Sequence, residues 1–117
     1  QGDVALAPQL SGVNVIIGGH SHTPLLPDVP AGTPQPFGAT RVAAYPQVLE
    51  DSDGDTVVVV QDWQWGLWVG DLVLGLDANG DITSVSSETK VQPVWAGGLG
   101  TPARALIPGE EAEITPD

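Results

Sequence analysis

Cysteine is absent from this chain of 117 residues, and basic residues are scarce. Without cysteine the protein has no disulfide, no thiolate zinc site, no iron–sulfur cluster and no thiol nucleophile, and the sequence does not indicate its redox compartment. Three basic residues face 15 acidic ones, and the resulting net charge of −12 repels phosphate backbones and anionic membranes. The charge therefore argues against nucleic acid as a partner.

Long apolar runs are also missing. No segment approaches the roughly 18 consecutive apolar residues that indicate a membrane span, so we expect none. The chain opens at Gln1 without a methionine, a basic segment or an apolar signal segment, and we expect the sequence to be incomplete at its start. With 41% hydrophobic and 15% charged residues, the composition is typical of one globular domain. The length excludes a full α/β barrel.

β-Branched residues mark the first predicted strand. Val13–Ile17 is such a run and ends in two glycines, so we expect a buried strand whose carboxyl end opens into a loop. Before it, Pro8 limits residues 3–7 to a short helical turn. After it, prolines recur through residues 23–46, which predicts a long surface loop that either borders a functional site or is a plain connection.

An acidic segment predicts a turn in the middle of the chain. Residues 50–55 contain a glycine and precede the apolar run 57–60, which favours a turn that leads into a buried strand. An EF-hand calcium loop is the alternative, but its sixth position would be Thr56 rather than glycine and its twelfth Asp62 rather than glutamate. The calcium ligands would be Asp51, Asp53 and Asp55.

A β-hairpin is predicted in the second half of the chain. Its arms are residues 67–76 and 82–86, and an Asn-Gly pair between them, flanked by Asp77 and Asp81, is typical of a hairpin turn. The two aspartates are therefore interpreted as turn residues.

Tryptophans are concentrated just before that hairpin. Trp63 and Trp65 share one face of a predicted strand by the period of two, and Trp68 follows them. One interpretation is a platform on which a sugar or a base stacks. Packing in the core or on the sheet is the favoured interpretation, because no convergent set of polar groups lies nearby in the sequence.

Both histidines of the chain lie in one segment, Gly18-Gly19-His20-Ser21-His22-Thr23, directly after the first predicted strand. Neutral imidazoles at positions i and i+2 can point toward one metal or toward two adjacent ones, and the sites of α/β sheets lie at such strand ends. Two ligands fall short of the three or four that a stable zinc or manganese site requires, so solvated loop histidines are the alternative interpretation.

This segment resembles the last catalytic motif of the calcineurin-like metallophosphoesterases, in their 5'-nucleotidase branch. The resemblance begins with Asp3-Val4-Ala5-Leu6-Ala7 and the strand 13–17, and it continues through residues 18–25. It extends over residues 3–95. Also similar in order and spacing are Tyr45-Pro46, Asp53–Gln61, Gly66–Leu72 and Leu76–Gly80.

The resemblance implies a fold and a site. The fold would be α/β and strand-rich, the C-terminal portion of a metallophosphoesterase α/β/β/α sandwich. The site would be a centre of two divalent cations, Mn or Zn, that hydrolyses a nucleotide or another phosphoester. His20 matches a ligand of one metal, His22 matches a ligand of the other, and Gly18 and Gly19 match the glycines of the turn. The family is commonly found in the periplasm, on the cell surface or in the medium.

The family's other ligand motifs are missing from this sequence. They are an Asp-x-His, a Gly-Asp with a bridging aspartate, a Gly-Asn-His-Glu and a further histidine, all upstream of the match. We therefore expect residues 1–99 to be the C-terminal part of a catalytic domain whose N-terminal portion is missing, and residues 100–117 to be an acidic linker or domain edge. Two histidines alone cannot hold a phosphate-bridging metal pair, so we expect this chain alone to be inactive and assign it no catalytic residue.

Two other interpretations of the sequence stay open. One is a small, acidic, β-rich interaction module without catalytic activity, and the other is a degenerate family member kept for its structure. Exposure of Trp63 or Trp65 would favour the module, whereas burial of all four tryptophans beside a convergent pair of histidines would favour an enzyme-derived domain. A sheet that lacks its covering helices is also expected to expose apolar surface and to associate or unfold readily.

Overall fold

A computed structural model describes residues 2–94, which form a short helix, seven strands and the loops between them. Residues 100–117, predicted to be an acidic linker, lie outside the described residues, and so does Trp95. In chain order the helix and strands are α1 Gly2–Leu6, β1 Val15–Ile17, β2 Gln47–Glu50, β3 Thr56–Val60, β4 Trp68–Asp71, β5 Leu74–Leu76, β6 Ile82–Val85 and β7 Lys90–Pro93.

A three-stranded sheet holds the centre of the fold, with the order β1-β3-β2. Strand β1 runs parallel to β3, and β2 pairs with β3 in the antiparallel sense. The four consecutive valines of β3 are buried, and the strand has a neighbour on each edge. A strand in this position favours a continuous run of β-branched residues. The strand-rich α/β architecture agrees with the predicted fold class.

One face of this sheet packs against the start of the chain. Ala7, Val57 and Val59 form a buried cluster, against which Val4 and Ile16 pack from the helix and from β1. The chain leaves α1 through a single 3-10 turn, Ala7–Gln9, in which Pro8 occupies an early position, where its missing N–H group is least costly.

The proline-rich segment is not wholly a surface loop, so that prediction is wrong in part. Residues 23–26 are buried, and Leu26 packs with Ala39 and Trp68 in a second apolar cluster. The buried main chain has a hydrogen bond there, because the carbonyl oxygen of Pro24 accepts the amide of Val42 at 3.0 Å. A proline lacks a donor, but it keeps an acceptor and an apolar ring, and here both are used.

The hairpin prediction is confirmed at its turn and wrong in its first arm. Strands β5 and β6 pair around the turn 77–81, but residues 67–76 do not form one strand. Instead β4 pairs with β7, and the strand is interrupted between β4 and β5. The hydroxyl of Thr89 explains the break, because it accepts from the amide of Val73 at 3.0 Å and donates to its carbonyl oxygen at 3.1 Å.

Two acidic turns have the same hydrogen-bond pattern. In the first, the Asp51 carboxylate accepts the amides of Asp53 at 2.8 Å and Asp55 at 3.0 Å. In the second, the Asp77 carboxylate accepts the amides of Asn79 at 2.8 Å and Asp81 at 3.0 Å. Each is the turn chemistry expected of an aspartate followed by Asn or Asp and then glycine. The turn interpretation of both segments is confirmed.

Apolar side chains remain exposed on the sheet, as expected for a sheet without full cover. Ile17, the last residue of β1, is 82% exposed, and Val48 of β2 is 53% exposed. That this surface causes association or ready unfolding stays a prediction.

Burial distinguishes the two acidic turns, so their aspartates should differ in importance. Asp51 is 8% exposed, whereas Asp77 is exposed. We expect Asp51→Ala to lower the free energy of unfolding by about 1–3 kcal/mol, because two amides lose a buried acceptor. The matched change Asp77→Ala should cost less than about 1 kcal/mol, since water replaces the lost acceptor.

Asp51→Asn keeps the acceptor oxygen, so its free energy of unfolding should stay close to that of the unaltered chain. Urea unfolding of the three variants measures these differences, and equal losses at the two turns would contradict the burial argument.

Candidate metal centre

The two histidines follow the carboxyl end of β1, where the sheet pairing stops. The amide of Gly18 still donates to the carbonyl oxygen of Val60 at 2.8 Å, which extends the pairing with β3 by one residue. The chain then turns sharply, with the amide of Ser21 donating to the carbonyl oxygen of Gly19 at 2.6 Å. His20 and His22 are exposed and both have left-handed backbones, with φ of 65° and 52°. The structure thus places the predicted pair on one tight loop.

A buried glutamine holds this loop. Gln61 directly follows β3 and is 7% exposed. Its side-chain oxygen accepts the amide of Thr23 at 2.6 Å and the hydroxyl of Ser21 at 3.3 Å. The hydroxyls of Ser21 and Thr23 lie 2.7 Å apart and share a further hydrogen bond. Both residues that follow a histidine are therefore fixed to the end of β3.

Gly18 occupies a position that has no room for a side chain. A Cβ atom there would collide with the carboxylate of Asp3 and would lie 2.9 Å from the amide nitrogen of Gln61. At Gly19, by contrast, a Cβ atom would meet nothing within 4 Å. The two glycines of the motif therefore differ: side-chain atoms crowd the first, and the space around the second is open.

Two clefts flank the histidine loop. One, of about 270 Å³, is lined by Asp3, His20 and Gln61 together with apolar side chains. The other, of about 280 Å³, lies on the far side of Gln61 and is lined by Tyr45 and Asp62. Burial and the nearby carboxylates of Asp62 and Asp71 raise the pKa of the Tyr45 hydroxyl above its ordinary value of 10.0, so this phenol stays neutral at physiological pH.

The tryptophans do not share a strand face, so that prediction is wrong. Trp63 and Trp65 both have left-handed backbones, with φ of 75° and 56°, because the chain turns here between β3 and β4. Trp63 is partly buried in the second apolar cluster, as the packing interpretation predicts, and Trp68 is 2% exposed. Trp65 is 78% exposed, and its ring lies against His22.

The donor set of the loop fits part of a metal site. Imidazole nitrogens suit manganese and zinc, and neither histidine ring donates or accepts a hydrogen bond within residues 2–94. Within residues 2–94, no further histidine or carboxylate lies close enough to this pair to make a set of three possible ligands. The histidines can therefore contribute two ligands, and the remaining ligands of a stable site must come from elsewhere.

Carboxylates do cluster in the first acidic turn, at the opposite end of β3. Ligand atoms of Asp51, Asp53 and Asp55 lie within 4.8 Å of one another. The mutual repulsion, chiefly from Asp51, raises the pKa of the Asp55 carboxyl above its ordinary value of 3.8. These carboxylates are too far along the strand to complete a site with the histidines, because five strand residues span about 16 Å.

Sequence reasoning missed three residues of this site. Gln61 follows a run of valines, and a polar side chain at the carboxyl end of a buried strand is a signal that points to the site edge. Asp3 and Trp65 come from distant segments, and only the tertiary structure brings them to the loop.

Comparison with known proteins places these features in a family. No family model matches the chain. The human 5'-nucleotidase is 34% identical over 82 residues, which are 70% of this chain and 13% of that protein. The snake venom 5'-nucleotidase of Macrovipera lebetinus is 32% identical over 84 residues, 72% of this chain and 19% of that protein. The crystal structure of a 5'-nucleotidase precursor from Thermus thermophilus matches with a TM-score of 0.65 and 37% identity, over 79% of this chain and 17% of that one.

The sheet and the loop at its edge define a strand-rich α/β domain of the 5'-nucleotidase type. The chain matches the C-terminal part of such a domain, which confirms the family predicted from the histidine segment. It spans less than a fifth of the length of each of the three proteins compared.

The two glycines of the loop provide a matched test of the packing. We expect Gly18→Ala to lower the free energy of unfolding by about 1–2 kcal/mol, because the added methyl group displaces the buried amide of Gln61. Gly19→Ala should change stability by less than about 0.5 kcal/mol, since the space around it is open. Thermal and urea unfolding measure both variants, and a tolerant Gly18 would mean that the loop is not packed as described.

A second test concerns the glutamine itself. Gln61→Leu leaves the buried amide of Thr23 without an acceptor, so we expect a loss of about 1–3 kcal/mol in the free energy of unfolding. Gln47→Leu is the matched control, because the Gln47 side chain donates one exposed hydrogen bond and lines the same cleft. The control should lose less than about 0.5 kcal/mol. Hydrogen exchange of the Thr23 amide should accelerate in Gln61→Leu alone.

Proposed function

We propose that this chain supplies the last metal-ligand segment of a metal-dependent phosphohydrolase of the 5'-nucleotidase type. One observation carries the proposal: His20 and His22 lie on a tight loop at the end of β1, which runs parallel to the buried strand β3, within a domain that matches 5'-nucleotidases in sequence and in fold. Strand ends of this kind are where α/β domains hold their sites. The substrate class is a nucleotide or another phosphoester.

The residues of the loop have separate roles in this proposal. His20 binds one divalent cation and His22 binds the other, with Mn or Zn as the metals that suit imidazole. Two divalent cations held there would supply Lewis-acid chemistry for the hydrolysis of a phosphoester. Gly18 lets Asp3 and Gln61 approach the start of the loop, Gly19 follows it in open space, and Gln61 fixes the loop to β3. No residue of the chain is assigned a catalytic role.

The remaining ligands would come from an N-terminal portion of a longer protein. Residues 1–99 would then be the C-terminal part of the catalytic domain, and residues 100–117 an acidic linker or domain edge. Within residues 2–94 the α-helix has five residues, which is far too short to cross a membrane. One relative is a snake venom protein, which supports an exported location, in the periplasm, at the cell surface or in the medium.

Metal titration of the chain tests the two ligands directly. We expect Zn²⁺ to bind weakly, and His20→Ala and His22→Ala each to lower its affinity about tenfold, because without the rest of the site both imidazoles serve a single ion and each change removes one of them. Asp53→Asn is the control, since it removes one carboxylate of the acidic turn and leaves the loop unchanged. Isothermal titration calorimetry measures all four proteins. A loss confined to Asp53→Asn would place the metal at the acidic turn and contradict the proposal.

The activity test needs the native gene product, whose intact mass should be measured first. A mass several times 12.0 kDa would permit an assay of AMP hydrolysis with added Mn²⁺ or Zn²⁺, in which His20→Ala should abolish turnover. We expect no turnover from the chain of 117 residues alone. If this chain alone shows metal-dependent hydrolysis that His20→Ala abolishes, the claim that the metal site needs ligands from outside the chain is wrong.

An interaction module is the second candidate, and the exposure of Trp65 favours it. The tryptophans of the described residues do not give the uniform answer that either interpretation needs: Trp68 is buried, Trp63 is partly buried and Trp65 is exposed. A native mass of 12.0 kDa without a co-purifying partner chain would favour the module over the enzyme.

A further inference from the structure

The ring of Trp65 contacts one of the two histidines. The centroids of the Trp65 and His22 rings are 5.9 Å apart, and the ring planes meet at 76°. This is the edge-to-face arrangement in which aromatic rings attract each other, because the positive edge of one ring faces the negative face of the other. The contact joins two segments that are far apart in the sequence.

The backbone holds both residues in an uncommon conformation. His22 and Trp65 have φ of 52° and 56°, in the left-handed region that residues other than glycine rarely adopt. An isolated β-bridge between Pro24 and Asp62 ties the two turns together beside the contact. Strained backbones of this kind persist where the surrounding structure determines them, and they concentrate at functional sites.

Core packing does not account for the position of Trp65. A tryptophan that stabilises a core is buried, as Trp68 is at 2% exposure, whereas Trp65 is 78% exposed. Trp65 is also absent from the apolar cluster that its neighbour Trp63 joins. The ring contact that remains to Trp65 within the described residues is the one with His22.

The geometry points to Trp65 as a positioning residue for His22, and this inference rests on the proposed metal role of that histidine. A histidine that binds a metal usually has its ring oriented by a hydrogen bond from its second nitrogen, and loss of that partner lowers metal affinity. The His22 ring makes no such bond within residues 2–94, so the contact with the indole restricts its rotation instead. His20 has no aromatic ring contact within those residues, although it lines a cleft.

The presence of only two histidines makes the orientation measurable without any metal. A chain labelled at histidine gives two sets of carbon-bound ring signals in NMR spectra, and the His20 signals act as the internal control. We expect cross-relaxation between the protons of the Trp65 and His22 rings. Trp65→Ala should shift the His22 signals and leave those of His20 in place, and Trp65→Phe should keep most of the original shift. Val69→Ala, at a residue that is 51% exposed, controls for loss of apolar surface.

Zn²⁺ affinity then tests whether the orientation matters for binding. We expect Trp65→Ala to weaken Zn²⁺ binding about tenfold, and Trp65→Phe to retain affinity close to that of the unaltered chain. Trp65→Gly relieves the left-handed backbone but also lacks the ring, so it should bind as weakly as Trp65→Ala. Recovery of affinity in Trp65→Gly would assign the effect to the backbone and overturn the proposal.

The two proposals fail in different ways. If Trp65→Ala leaves the His22 signals unchanged, Trp65 does not orient the ring, whatever the metal affinity. If His22→Ala weakens Zn²⁺ binding but Trp65→Ala does not, the metal role of His22 stands and the positioning role is wrong. If the unaltered chain binds no Zn²⁺, the expected weak binding by two imidazoles is wrong, and the metal-free ring signals still decide whether Trp65 orients His22. The proposed function is then decided separately, by AMP hydrolysis in the native gene product and its His20→Ala variant.

Discussion

The histidine loop depends on the buried side chain of Gln61. This one carboxamide accepts from the amide of Thr23 and from the hydroxyl of Ser21, and it sits at the end of a strand whose four valines are buried. A buried amide without an acceptor costs more free energy than a typical hydrogen bond contributes. The loop therefore keeps this conformation mainly because any other would leave the amide of Thr23 buried without an acceptor. The sheet thereby fixes the backbone on which the two histidines lie.

Strain and support are combined in the same place. His20 and His22 are left-handed, as are Trp63 and Trp65 across the Pro24–Asp62 bridge. Each such residue carries a conformational cost that must be met by contacts around it. The loop has these contacts in Gln61, in the packed position of Gly18 and in the Trp65 ring, which together explain how exposed histidines keep a defined backbone.

Local chemistry made some features of this fold predictable from the sequence, and distant contacts made others unpredictable. The acidic turns follow from an aspartate beside glycine, and the strand β3 follows from its run of valines, because both signals lie within a few residues. The break before β5 involves Thr89, and the turn that carries Trp65 follows a bridge from Asp62 to Pro24, neither of which a local pattern reveals. The histidine segment was recognisable as a motif, whereas its supports, Gln61 and Trp65, required the tertiary structure.

Charge distribution constrains what the candidate site can bind. The chain carries a net charge of −12, and Asp3 lines the same cleft as His20, so an anionic phosphoester would be repelled from a cleft without cations. Within residues 2–94 a cluster of carboxylates, in the turn before β3, lies about 16 Å away along the strand, which exceeds the screening length of about 8 Å at physiological salt. The site therefore experiences chiefly the carboxylates beside it. Asp3 beside one cleft, Asp62 beside the other and two imidazoles favour cations first and a phosphate only after them, which is the order of binding that the proposed function requires.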